Sequence, residues 1–205
     1  CYGYTTRPTS PNLDRLAAAS ALFLQTRCQA PWTLPSHMSL LTSMRPSHNR
    51  VEDINQKLPD DIPTLTEILK KAGYRTMALV NNGQMKPHWG LARGFDVWRE
   101  FEVDTPEGMA ENITSEALQW MGTRPESPFF LFLHYYDAHD PYDPPSPFRE
   151  RFGVTLAGEE ARKITWDYHL PGVDFPDPGM LDQLRAAYDA EIAYLDDQLG
   201  RLLSA

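Results

Sequence analysis

Two short stretches of this chain bring together residue types that can do chemistry. In His134-Tyr135-Tyr136-Asp137-Ala138-His139-Asp140-Pro141-Tyr142-Asp143, imidazoles and carboxylates crowd the end of an apolar run. Neutral imidazole and carboxylate suit a divalent cation, and a protonated imidazole donates to an oxyanion. His139 is the group there best suited to act on a substrate. Asp140 and Asp143 also read as turn formers beside prolines, and His134 as a strand residue packed in the core. In Thr33-Leu34-Pro35-Ser36-His37, a hydroxyl precedes an imidazole by one helical turn. Locally, Thr33 reads as an N-cap whose hydroxyl accepts from a free backbone N–H, with Pro35 tolerated in the first turn because its missing donor has no partner there.

These residues belong to a chain of 205 residues, 41% hydrophobic and 23% charged, which is enough to bury a sizeable core. A formal net charge of -9 argues against a nucleic-acid binder that relies on a broad cationic surface. An anionic substrate would need local positive groups or a metal. Two cysteines, Cys1 and Cys28, are too few for a disulfide framework or a usual zinc finger. No apolar run approaches the roughly 18 residues of a membrane span. The opening CYGYTTRPTSPN does not resemble a signal peptide, and a chain that opens on Cys is read as having lost its true N-terminus.

The elements that must position these groups follow from periodicity and caps. Thr9-Ser10-Pro11-Asn12 predicts a capped helix start, and Leu22-Phe23-Leu24 predicts a strand toward Cys28, with Trp32 and Thr33 beyond its end. A second helix is expected from Pro35, carrying Met38, Leu40, Leu41 and Met44. Thr64 and Glu67 have capping-box spacing, with Leu65, Ile68, Leu69 and Ala72 on one face and Gly73 as the stop. Tyr74 to Val80 predicts a buried strand, broken by Asn81-Asn82-Gly83. A helix is expected from Thr105-Pro106-Glu107 to about Met121, and Phe129 to Tyr135 is the most strand-like segment. Residues 144–178, rich in Pro, Gly and charge, read as a surface excursion. Residues 181–203 read as an amphipathic helix burying Leu184, Ala187, Ile192, Leu195, Leu199 and Leu202, with Tyr188, Asp189, Glu191, Asp196 and Asp197 on solvated or helix-packing faces. Helices alternating with apolar strands predict an α/β domain with a mainly parallel sheet flanked by helices, whose ligands bind beyond the carboxyl ends of the strands. Thr33, Asn81-Asn82 and the segment from Asp137 to Tyr142 each follow an expected strand end.

The blocks "CYGYTTRPTSPNLDRLAAASALF", "APWTLPSHMSLLTSMRPSH", "PTLTEILKKAGYRTMAL", "RGFD", "PFFLFLHYYDAHDPYDPP" and "YDAEIAYLDDQLGRLL" together resemble, in the same order, blocks of the sulfatase family of the alkaline phosphatase superfamily. The resemblance takes in nearly the whole chain. It implies an alkaline-phosphatase-like fold, and residues 1–205 as a partial catalytic domain, truncated at both ends. Members place a nucleophile at the first position of a Cys/Ser/Thr-x-Pro-Ser-Arg/His pattern, so Thr33-Leu34-Pro35-Ser36-His37 implies Thr33 as a catalytic residue at a helix N-terminus. There the macrodipole and free N–H groups favour the anion being transferred.

Sulfatases of this family oxidise Cys or Ser at that position to formylglycine. Threonine cannot become that aldehyde, because its β-carbon carries a methyl group, so no formylglycine is expected. His37 replaces the family's Arg and removes a bidentate fork, and Asn81-Asn82-Gly83 stands roughly where a Gly-Lys-Trp-His segment would fall. His37 and Asn81 are thus the candidate substrate-binding residues. The pattern resembles the threonine-nucleophile branch of lipoteichoic acid synthase and phosphoethanolamine transferases. The implied chemistry is a divalent metal (Ca, Mn or Mg) bound by the Thr33 oxygen, attack on phosphorus, and His139 holding an oxygen or protonating a leaving group. The implied partner is a small-molecule, glycan-linked or lipid-linked ester. The other metal ligands are expected outside the chain, so the fragment alone is expected to bind metal poorly and turn over little. The alternative is a non-catalytic relative that binds an anion or a partner.

Overall fold

The computed structural model describes residues 7–81, 83–103, 105, 108–123, 126–167 and 176–205. Cys1 and the rest of the Cys-Tyr-Gly-Tyr block, Asn82, the expected helix start at Pro106-Glu107, and residues 168–175 of the expected excursion lie outside them. The chain divides into two compact units, one of residues 23–134 and one of residues 1–22 with 135–205.

The contiguous unit is built on a parallel sheet of three strands, β1 (Arg75–Val80), β2 (Val97–Glu100) and β3 (Phe129–His134), in the order β2-β1-β3. Central β1 pairs Val80 with Glu100 on one side and with His134 on the other. Thr76 through Val80 are all buried, as expected of a strand covered on both faces. Its helices are α2 (Thr33–Thr42), α3 (Pro46–Asn49), α4 (Leu65–Lys71) and α5 (Ala110–Gly122). Leu34, Met38 and Leu41, spaced to share one face of α2, pack with Ala78 and Val80 of β1 and with Met85, Trp89 and Leu91, while Trp32 and Phe132 close the edge of that core. In α4 the capping box forms as its sequence predicts: Thr64 Oγ1 accepts from Glu67 N, and Glu67 Oε2 accepts from Thr64 N. Arg93 clamps the same carboxylate at 2.9 Å. Gly73 ends the helix region at φ +90°, a conformation an L side chain rarely takes.

The other unit contains α1 (Pro11–Ala18), α6 (Phe148–Arg151), α7 (Gly158–Asp167) and the long α8 (Pro178–Leu203). Both α1 and α6 pack on α8. Val154, Ala187 and Ala190 form its small core, bordered by Tyr142, Phe148 and Phe152.

Several expectations are corrected. Residues 22–24 form no strand. Phe23 is 79% exposed and its carbonyl accepts from Thr26 Oγ1, a local turn bond, and the sheet offers that run no neighbour among the described residues. α2 opens at Thr33 rather than Pro35, its N-cap is Trp32, and no side-chain cap is made. Thr33 is therefore a first-turn residue and not the N-cap. α5 begins at Ala110 rather than Thr105. On α4, Leu65 and Ile68 are exposed while Thr66 is buried. Within the expected excursion, the described residues include α6 and α7. Finally, α8 is turned from the face its leucines predict: Asp189, Glu191 and Asp196 are buried, while Leu184, Ile192, Leu195, Leu199 and Leu202 are half-buried. Each buried carboxylate has a tertiary partner. Asp189 takes Arg7, Glu191 takes the Asp143 amide, and Asp196 takes the amides of Asn12 and Leu13. Asp196 thus supplies the cap of α1 that Ser10 does not.

Candidate active site

In the contiguous unit the site grows out of the start of α2 and the carboxyl ends of β1 and β3. Apolar packing of Leu34, Met38 and Leu41 fixes the helix on the sheet, which leaves the first turn's polar groups at one end of the strands. Ser36 N closes the first turn on Trp32 O at 3.4 Å, and Pro35 has no N–H. The amides of Thr33 and Leu34 have no hydrogen-bond acceptor among the described residues, and neither does the Thr33 hydroxyl. Two oriented N–H donors and one hydroxyl at a helix N-terminus are groups that can meet an anion.

His37 is held by the turn it belongs to. Its Nδ1 lies 2.7 Å from Thr33 O, and Ser36 Oγ donates to the same carbonyl at 3.0 Å. A carbonyl only accepts, so Nδ1 carries the proton, and Nε2 of the neutral ring is left as the nitrogen that can bind or move one. The ring is half-buried and meets the edges of His134, with centroids 5.0 Å apart, and Phe132, at 6.2 Å. His134 closes β3, and its carbonyl accepts from Asn81 N at 3.1 Å, so the end of β1 is tied to the same spot. Asn81 is 3% exposed. Its Nδ2 donates to Gly108 O at 2.7 Å, and its Oδ1 has no hydrogen-bond partner among the described residues. The fit around it is close, since a β-carbon on Gly108 would come within 2.6 Å of Asn81 Nδ2. Beside the helix start runs an open groove of about 370 Å3 lined by Trp32, Pro35, Arg45 and Glu52 among others.

His139 belongs to the other unit. Its ring stacks on Tyr136, with centroids 4.2 Å apart and planes 15° from parallel. Nδ1 lies 2.8 Å from Asp140 O and 3.0 Å from Asp140 Oδ1, so it too donates through Nδ1 and presents Nε2. The residues after it are anchored from below. The Asp143 amide donates to Glu191 Oε1 at 2.9 Å, and the Asp143 carboxylate pairs with Arg149. Burial first, then the charge of Asp137, pushes the Glu191 carboxyl up to about 8.

Thr33 and His37 are thus brought together, and Asn81 joins their neighbourhood through His134. Sequence reasoning read His134 as core and Glu191 as a helix-face residue. The His37–His134 contact joins segments far apart in the chain, and nothing in the local pattern signals it. For Glu191 the signal was its place between Ala190 and Ile192 on a helix whose small residues, rather than its leucines, are the buried ones. Calcium, manganese and magnesium ions take sets of oxygen ligands rich in carboxylate. Among the described residues no three His, Cys, Asp or Glu side chains converge to hold a metal, so these residues do not fit such an ion by themselves.

Comparison with known proteins bears on this arrangement. The profile of the family described as Sulfatase matches residues 1–205. Iduronate 2-sulfatase of Homo sapiens is 27% identical over 271 aligned positions, which take in 100% of this chain and 48% of that protein. The chain therefore spans about half the length of the curated relatives it matches. Among solved structures, the phosphonate monoester hydrolase of Agrobacterium radiobacter superposes with a TM-score of 0.74 at 17% identity, over 99% of this chain and 55% of that one. The lipoteichoic acid synthase LtaP of Listeria monocytogenes does so with a TM-score of 0.63 at 21% identity, over 96% of this chain and 45% of that one. These likenesses carry the fold, which is the alkaline-phosphatase-like one that the sequence blocks imply.

Proposed function

The chain belongs to the sulfatase family, and from that premise we propose that it forms part of the catalytic domain of a hydrolase or transferase of phosphoric or sulfuric esters, with Thr33 as its nucleophile. One observation carries the reading. The Thr33 hydroxyl stands on the first residue of α2 with no hydrogen-bond partner among the described residues. A hydroxyl kept out of the local hydrogen-bond network is one available to a substrate.

The chemistry follows. Thr33 Oγ1 passes its proton to solvent water and forms a bond to phosphorus or sulfur. The ester oxygen opposite leaves with the bonding pair, and water or an alcohol then displaces Thr33 in a second transfer. The Thr33 and Leu34 amides donate to the non-bridging oxygens, and His37, when protonated, adds Nε2–H to them. His139 is the proposed donor of a proton to the leaving oxygen. Asn81 Oδ1 is an acceptor, so what it would bind is a hydroxyl or N–H of the substrate rather than an oxygen of the transferred anion. The groove along Trp32 and Arg45 is open enough for the alcohol part of a glycan-linked or lipid-linked ester. A threonine hydroxyl is weak at its free pKa, so a Ca, Mn or Mg ion ligated by Thr33 Oγ1 belongs to the proposal. The described residues supply no carboxylate set for it, so its other ligands would have to come from elsewhere. Phosphorus is favoured over sulfur because threonine cannot form the aldehyde hydrate on which sulfate transfer in this family depends.

The test is to trap the intermediate. The native protein is mixed with aryl phosphate, phosphonate and sulfate esters, quenched in acid and digested, and the peptide containing Thr33 is read by high-resolution mass spectrometry. A phosphoryl group on Thr33 is the expected result. An unmodified Thr33 during measurable turnover would sink the assignment. The second reading, an anion-binding relative without turnover, is favoured by His37 standing where the family has Arg. It requires Thr33→Ala to leave binding of phosphate or sulfate unchanged.

A further inference from the structure

The His139 side chain is 53% exposed, yet its own turn holds the ring in one orientation. The His139 amide donates to Tyr136 O at 2.8 Å, which folds the chain back so that the Tyr136 ring lies against the imidazole face. At the ring edge, Nδ1 meets two acceptors of the next residue, the Asp140 carbonyl at 2.8 Å and Asp140 Oδ1 at 3.0 Å. The sequence reads Asp140 as a turn former, but among the described residues its carboxylate accepts from no backbone amide and pairs with no Lys or Arg, so His139 is its one partner. The Asp143 carboxylate, by contrast, is taken by Arg149. The carbonyl alone would accept an N–H, but it is neutral, and on an exposed ring water competes with it. The carboxylate adds a full charge on the same side, which favours Nδ1–H and faces the charge the ring carries while both nitrogens hold protons. Turning the ring over would set a C–H against both oxygens.

We propose that Asp140 is a positioning residue for His139: its carboxylate keeps a proton on Nδ1, so that Nε2 is the nitrogen that hands its proton to the leaving oxygen. The proposal rests on the reading of His139 as the proton donor to that oxygen. In the step, the doubly protonated ring gives its Nε2 proton to the ester oxygen as that oxygen leaves phosphorus or sulfur with the bonding pair. The ring is left neutral with Nδ1–H still facing Asp140, and it takes its next Nε2 proton from the water or alcohol that displaces Thr33. A ring held the other way, with Nδ1 bare, would have to become an anion to give up Nε2–H, which is why the tautomer matters.

The experiment has one arm without substrate and one with it. Long-range 1H–15N spectra of the native protein, with the ring neutral, report which nitrogen of His139 carries the proton. The wild type should show Nδ1–H alone, and Asp140→Ala should lose that signature and show both tautomers. A wild-type proton on Nε2, or the same tautomer in the wild type and in Asp140→Ala, overturns the proposal. In the second arm, turnover of alkyl and nitrophenyl phosphate esters is compared. A nitrophenolate leaves without a proton and an alkoxide does not, so Asp140→Ala should slow the alkyl esters at least about tenfold more than the nitrophenyl esters. Asp140→Asn keeps the size of the side chain and removes the charge, and it should show the same selective loss. An equal loss on both kinds of ester marks a merely structural role and overturns the proposal, as does an Asp140→Asn variant that matches the wild type on both. If Thr33 stays unmodified and no ester is turned over, it is the nucleophile reading that fails, and the ring spectra still decide the role of Asp140.

Discussion

The helices α2 and α8 use polar side chains in opposite ways. α2 is held by Leu34, Met38 and Leu41, and the hydroxyl at its first residue is engaged with nothing among the described residues. α8 buries Asp189, Glu191 and Asp196, and each of them meets a specific partner. A buried carboxylate with its hydrogen bonds filled is architecture. A polar group that the surrounding fold leaves unfilled, at the end of a parallel sheet, is where chemistry is expected.

If that contrast is right, the largest effect belongs to Thr33→Ala. Turnover should drop by roughly a thousandfold or more, as for loss of a covalent nucleophile, while the thermal midpoint barely moves because no hydrogen bond is lost. A variant that melts much earlier would make Thr33 architectural after all. His37→Gln comes next, with a fall in kcat of the order of a hundredfold, as for one acid–base or anion-holding group; an unchanged kcat would remove His37 from the site. On the other side of the comparison, Asp196→Ala should cost about 2 kcal/mol in urea unfolding, since it uncaps α1 and leaves amides without an acceptor, and should leave the Thr33 adduct intact. Thr64→Ala breaks the capping box and should cost about 1 kcal/mol.

Stability should also carry the signature of Glu191. Its folded value is raised, so its contribution is full below about 4.5, the ordinary value, and is lost as pH rises toward about 8. Within that window the slope is at most about 1.4 kcal/mol per pH unit, and Glu191→Gln should flatten it. Glu67 and Asp96 run the other way. Hydrogen bonds from Thr64 and Arg93 lower Glu67 against the opposing effect of its burial, and a hydrogen bond from Lys70 chiefly lowers Asp96, so their small contributions exist above the ordinary carboxylate range and fade in acid.

Much of the contiguous unit was legible in the sequence, because its strands and caps are written locally. Met77–Val80 lies in a buried parallel strand and reads as an apolar run, Thr64 and Glu67 have the spacing of a reciprocal cap, and Phe129–Leu133 is aromatic and aliphatic throughout. The other unit was less legible because its energetics are tertiary. Leucines predicted one face of α8, but alanines at 187, 190 and 193 let neighbouring segments approach and carry carboxylates in with them. The same reason hid the His37–His134 contact. Thr33, His37, Asn81 and His139 are the residues that the sequence offers as candidates, and the structure brings Thr33 and His37 together on one helical turn, whereas the orientation of each ring nitrogen required the carbonyl that faces it. Leu22-Phe23-Leu24 failed as a strand because β propensity expresses itself only against a paired neighbour.

Asn12 and Asp196 meet across 184 positions of sequence. On a chain emerging from the ribosome, β1, β2 and β3 can pair once His134 is out, whereas α1 has to wait for α8 before the amides of its first turn find the Asp196 carboxylate. Long loop closure is slow and is rewarded only at the end. In pulse-labelled refolding, the amides of Asn12 and Leu13 should therefore be among the last to become protected, after those of Met77 to Val80. The carboxylate that caps α1 thus ties the first turn of one helix to another made much later, and its bonds form only once α8 is in place.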